Sequence, residues 1–130
     1  MNPSPQESSI CQDMLDELEA LQIQGEPDFI VEIIDSFLKT SPPRVEAMIA
    51  HLNQKNLVAL GSDAHALKSS SFALGAKILS RLCQKIESLK ATQDVETANS
   101  YFKELQTEYH RAHAALTQIK NQRLHSQKSA

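Results

Sequence analysis

The run Ala64-His65-Ala66-Leu67-Lys68-Ser69-Ser70-Ser71-Phe72-Ala73-Leu74-Gly75-Ala76 decides how this chain is read. Successive residues of a helix turn by about 100°. On that wheel Leu60, Ala64, Leu67, Ser71 and Leu74 share one side. His65 lies opposite, grouped with Val58, Gly61, Lys68, Ser69 and Phe72. The stripe, with Gly75 just past its last apolar residue, predicts a helix from about Leu57 to Leu74. His65 is predicted to face solvent, with Lys68 one turn along and small residues beside it. That environment suits a nucleophilic imidazole better than a packed one.

Working outward, the neighbouring segments also carry helical spacing. Towards the C-terminus, Ile78, Leu79, Leu82, Cys83, Ile86 and Leu89 predict a helix over about Lys77 to Lys90. Thr92-Gln93-Asp94 interrupts the pattern. Ala98, Tyr101, Phe102, Leu105, Tyr109, Ala112, Leu116 and Ile119 then predict a last helix from about Val95 to Lys120. Towards the N-terminus, Val45, Met48, Ile49 and Leu52 predict a helix capped by Ser41 with Pro42 at its first position. Phe29, Ile30, Ile33, Ile34, Phe37 and Leu38 predict a separate one, opened at Pro27 and broken at Thr40-Ser41-Pro42-Pro43. Ser9 and Gln12 fit a capping box for a first helix carrying Ile10, Met14, Leu18 and Leu21, ended by Gly25.

These segments predict an all-α chain built as an antiparallel up-down-up-down four-helix bundle with additional N-terminal helices. Residues 1–8 read as a disordered leader, 9–120 as the helical domain and 121–130 as a polar, frayed tail. At 130 residues the chain is the length of one domain, with 41% apolar residues, no tryptophan and three glycines. No stretch is apolar enough to span a membrane, and Met1 to Glu7 lacks the features of a secretory signal. Two cysteines, Cys11 and Cys83, are too few for a disulfide framework, so a reducing, cytoplasmic setting is the expectation.

The net charge of −3 conceals an asymmetry. Nine acidic residues and no lysine or arginine precede Lys39; from there on, 13 basic residues meet seven acidic ones. The half holding His65 is thus suited to an acidic partner or a phosphoryl group. The basic residues are dispersed and lack interleaved aromatics, which argues against nucleic acid. His110 and His113 are spaced for one helix face, but no acid or cysteine nearby completes a metal set. His51 and His125 read as incidental. No phosphate-binding glycine loop or Walker lysine is present, so autonomous kinase activity is not expected.

His65, Leu67, Lys68, Ser70, Ser71, Leu74, Gly75, Ala76, Leu82, Cys83 and Glu87 resemble the pattern of histidine-containing phosphotransfer (HPt) domains. Ser69 departs from it, standing where that family usually has glycine. The resemblance implies a phosphorelay carrier. His65 would accept a phosphoryl group from a receiver-domain aspartate and pass it to another response regulator. Lys68 would stabilise the phosphoryl charge, and Glu87 would hold one imidazole nitrogen. Val58, Gly61, Ser69 and Phe72, with Met14 or Leu18 at the rim, would dock the receiver. The implied partners are receiver domains and a hybrid histidine kinase. No cofactor is expected in this chain, and Mg²⁺ would belong to the receiver. A monomer is the simplest expectation. The alternative is a helical adaptor that binds a receiver or a partner helix without being phosphorylated.

Overall fold

A computed structural model describes residues 8–129, with side chains through His125. The expected disordered leader lies outside the described residues except for Ser8. The chain is all-helical over those residues: α1 (Gln12–Glu19), α2 (Phe29–Asn53), α3 (Leu57–Ala73), α4 (Lys77–Glu87) and α5 (Val95–Ser129). Consecutive helices α2 to α5 form an antiparallel four-helix bundle, closed by α2 against α5. The core runs through Ile30, Ile34, Met48, Leu60, Leu67, Leu79, Ile86, Leu105 and Leu116, all at most 1% exposed.

The largest departure from the sequence reading is α2. Two separate helices were expected, divided at Thr40-Ser41-Pro42-Pro43; the structure has one continuous helix with both prolines inside it. The buried positions explain why. Ile30, Ile34, Phe37, Ser41, Val45, Met48 and Leu52 follow one another at steps of three or four, so the stripe crosses the prolines unbroken. Ser41 is its polar member, and it is buried rather than serving as a cap. Its hydroxyl meets the Tyr109 hydroxyl at 2.8 Å. Pro42 and Pro43 are exposed. Their missing N–H groups therefore fall on the solvent side, where water can serve the freed carbonyls. Among the described residues a single additional N-terminal helix, α1, remains outside the bundle. Asp28, not Pro27, caps α2, its side chain accepting from the Ile30 and Val31 amides.

The first helix is shorter than expected. It starts after Cys11, which makes no side-chain cap bond, so the Ser9–Gln12 capping box does not form. Gln12 instead donates to Asp16. The segment is tied to the bundle by the Cys11 amide, which donates to the Gly75 carbonyl at 2.7 Å. Gly75 has a φ of 80°, in the left-handed region where glycine carries no Cβ penalty. Leu21, expected on the buried stripe, is 70% exposed because α1 stops at Glu19. At the other end α5 continues through the expected tail to Ser129. Arg123 fastens that extension by donating to Asp28 at 2.7 Å.

Two ties join helices in ways the sequence did not reveal. His51, read as incidental, pairs with Asp63 at 2.6 Å and joins the end of α2 to α3. Lys120 on α5 meets Asp35 on α2 at 2.6 Å, and Lys39 meets the same carboxylate at 2.8 Å. The hydrogen bond from Lys120, then that from Lys39, hold the Asp35 carboxyl down at about 2. An unfolded carboxyl protonates near pH ~4. The stabilisation is thus complete above that pH and is lost as the pH falls towards the folded value. Asp35→Asn is accordingly expected to flatten the dependence of unfolding free energy on pH in that acid window. Equal slopes for wild type and variant in chemical denaturation would remove this contribution.

Candidate functional site

α3 has two faces with separate duties. Leu60, Ala64, Leu67 and Ser71 are buried, as the wheel required. Val58, His65, Ser69 and Phe72 are exposed, with Val58 63% and Phe72 53% accessible. Val58 and Phe72 each lie seven residues from His65, two turns away on the same face. His65 thus stands between two exposed apolar side chains, with a low surface at Ser69.

The imidazole is held from α4. His65 Nδ1 lies 2.6 Å from Glu87 Oε2, and Lys68 Nζ lies 2.6 Å from Glu87 Oε1. Lys68 also donates to Gln84 Oε1 at 2.9 Å. The hydrogen bond from Lys68, and then that from His65, hold the Glu87 carboxyl below the usual carboxylate range against partial desolvation. Glu87 is therefore ionised around neutral pH and accepts only. Nδ1 must then be the donor, and in the neutral ring Nε2 carries the lone pair. The imidazole side chain is 59% exposed while Glu87 is 20% exposed, so the holding group sits beneath the ring.

Glu87 is the last residue of α4. A carboxylate there faces the negative end of the helix dipole, an unfavourable placement for stability alone. Lys68 offsets it across the α3–α4 groove. A residue that breaks a local rule and is matched from another helix fits a site better than an ordinary surface charge.

Other sequence expectations divide. Gly61 was placed on the open docking face, but it is buried, because the Lys90 side chain lies across it. Met14 and Leu18 are half-buried; Leu18 packs on the core, and Met14 lies beside Gly75 at the α3–α4 turn. That turn is ten residues beyond His65, about 15 Å along a helix. Lys85, two residues before Glu87 on α4, stands 5.4 Å above the Tyr101 ring and so faces α5. The buried Ser71 Oγ has no hydrogen-bond partner among the described residues, while Ser69 bonds back to His65 and Ser70 to Ala66 and Leu67. Gln84 was missed. Its signal was present, since it precedes Glu87 by three residues and so shares its helix face.

His110 and His113 each pack a ring against Tyr109, with centroids 5.8 Å apart. Among the described residues no three His, Cys, Asp or Glu side chains group as a metal site. No described helix is long and apolar enough to cross a membrane. Cys83 is buried behind the site, and burial pushes its thiol up to about 12, so it is inert there.

The model of the Hpt domain family matches residues 32–115. The chain therefore belongs to the Hpt domain family. It is 28% identical over 100 residues to histidine-containing phosphotransfer protein 2 of Arabidopsis thaliana, covering 75% of this chain and 64% of that protein. It is 25% identical over 97 residues to the phosphorelay intermediate protein rdeA of Dictyostelium discoideum, covering 75% of this chain and 38% of that protein. The chain thus spans less than two thirds of either relative. Its fold is similar to that of histidine-containing phosphotransfer protein B from Pseudomonas aeruginosa PAO1. That match has a TM-score of 0.78 at 21% identity and covers 92% of this chain and 98% of that one.

Proposed function

We propose that this protein is a histidine phosphocarrier, taking a phosphoryl group from a receiver-domain aspartate on His65 and passing it to another response regulator. The observation that carries the reading is the Nδ1 contact with Glu87 at 2.6 Å, which leaves Nε2 as the nucleophile at the exposed edge of the ring. In the forward step the Nε2 lone pair forms the N–P bond as the P–O bond to the aspartate breaks. The bonding pair leaves with the aspartate carboxylate. The proton on Nδ1 stays there, and the positive charge of the phosphorylated ring is met by Glu87. The second aspartate reverses the step, taking phosphorus and returning the lone pair to Nε2.

Lys68 supplies positive charge beside the incoming group, and positioning carries the rest of the catalysis. Mg²⁺ in the receiver's acidic pocket would supply further charge neutralisation from the partner's side. Nothing in this chain's chemistry requires nucleotide, so it would act as an intermediate and not as a kinase. The exposed Val58, Ser69 and Phe72 form the docking face. A cytoplasmic setting and a monomeric state complete the proposal.

The reading is tested by mixing the purified protein with a phosphorylated receiver domain. Acid-labile, base-stable label should appear on this chain and leave it when a second receiver is added. A folded protein that takes no label from several receivers would favour the adaptor reading.

Glu87 gives a graded prediction. Hydrogen bonds to charged groups are worth about 1.5–3 kcal/mol, so Glu87→Ala should slow transfer roughly 10- to 100-fold. Glu87→Gln retains an acceptor oxygen for Nδ1–H and should lose much less. Equal rates for alanine and glutamine variants would show that holding the tautomer is not what Glu87 does.

A further inference from the structure

Gly61 sits within α3, where glycine is destabilising relative to alanine. Its φ is not in the left-handed region, so no turn requires it there. A Cβ at this position would collide with the Lys90 stem, standing 2.8 Å from Cε and 3.0 Å from Cδ and closer still to Cγ. The bare helix surface thus seats the aliphatic part of Lys90, which arrives from the turn after α4.

The seat falls in register with the site. Across the α3–α4 groove Lys68 faces Gln84, His65 faces Glu87, and Gly61 faces Lys90. Lys90 therefore lies on the N-terminal side of the histidine and Lys68 on the C-terminal side. Positions four apart on a helix are about 5–6 Å apart at Cβ, within reach of an ammonium one bond beyond Cε. The two cations differ in their company. Lys68 is matched at 2.6 Å by Glu87, so its charge is offset by that carboxylate. Lys90 has no side-chain carboxylate partner among the described residues. A phosphoryl group brings up to about two negative charges to this spot.

Resting on the phosphocarrier reading, we propose that Lys90, seated on Gly61, is a second cationic contact for the phosphoryl group on His65, which is held between Lys68 and Lys90. Lys90 moves no proton and breaks no bond. The P–O bond to aspartate and the N–P bond to Nε2 exchange as before, and Lys90 acts on the charge of the transferring group. Gly61 is a positioning residue that acts through Lys90.

The test compares wild type, Lys90→Ala, Lys90→Arg, Gly61→Ala and the Gly61→Ala/Lys90→Ala double variant, all as the full chain. Each is scored for label uptake from a phosphorylated receiver domain and for thermal melting. Lys90→Ala should slow uptake about three- to tenfold, and Lys90→Arg should restore it. Gly61→Ala should slow uptake similarly while still melting as one cooperative unit, since the new Cβ forces the Lys90 stem aside. The double variant should be no slower than either single one, the signature of one shared interaction. Wild-type uptake in both Lys90→Ala and Gly61→Ala would overturn this inference and leave the phosphocarrier reading intact. Absence of label on folded wild type would overturn that reading, and this inference with it.

Discussion

His65→Gln is expected to lose all acid-labile phosphoryl label while keeping the wild-type fold. The loss should be complete because, among the described residues, His51, His110 and His113 are built into other surroundings. His110 and His113 lie against the Tyr109 ring, and His51 is held by Asp63 without a lysine on the same carboxylate. The fold should survive because the side chain is 59% exposed and makes its contact across the groove, not into the core. Glutamine keeps a donor for Glu87, so the stability change should stay within about 0.5 kcal/mol, as for ordinary surface substitutions. Phosphoryl uptake and chemical denaturation measured on the same preparation separate the two effects. Residual label of the same acid and base stability on His65→Gln would place the acceptor elsewhere.

Ser69→Arg should block transfer with equally little damage to the bundle. Ser69 is exposed, one turn beyond His65, and its hydroxyl only bonds back to the His65 carbonyl at 3.4 Å. Arginine is at least as good a helix former as serine, so α3 should not weaken. The long side chain would occupy the low surface through which a receiver must bring its aspartate to Nε2. A misplacement of only about 1 Å can cost on the order of 100-fold in rate, and that is the expected scale of loss. The added charge sharpens the test. A positive group should speed encounter with an acidic partner, so a loss must come from shape. Ser69→Gly, which lowers the surface further, should transfer at least as fast as wild type. Wild-type rates for Ser69→Arg would put the docking face elsewhere.

The sequence made the site more legible than the scaffold that carries it. His65 and its exposed face followed from helical geometry, because α3 is long and its apolar residues recur without interruption. Glu87 followed from the family resemblance. The continuity of α2 was hidden because Ser41 and two prolines coincide at one point, and local breaker signals there outweigh a stripe that only the partner helix reveals. Tyr109, 68 positions away in sequence, supplies the hydrogen bond that makes a buried Ser41 acceptable. Gly61 was misplaced for a related reason. A helical wheel assigns faces from one helix alone, and the residue that covers Gly61 comes from the turn after another. The short α1 was overextended because Leu21 matches the apolar period, although the chain has already left the helix there.

In the proposed phosphocarrier, Glu87 fixes the proton on Nδ1 of His65 and leaves Nε2 to carry the phosphoryl group. Long-range proton–nitrogen NMR of the imidazole, before and after phosphorylation by a receiver, tests it most directly. The Nδ1–H tautomer is expected in the free protein, with phosphorus coupled to Nε2 of the same ring afterwards. A free ring protonated on Nε2, or phosphorus on Nδ1, would contradict it.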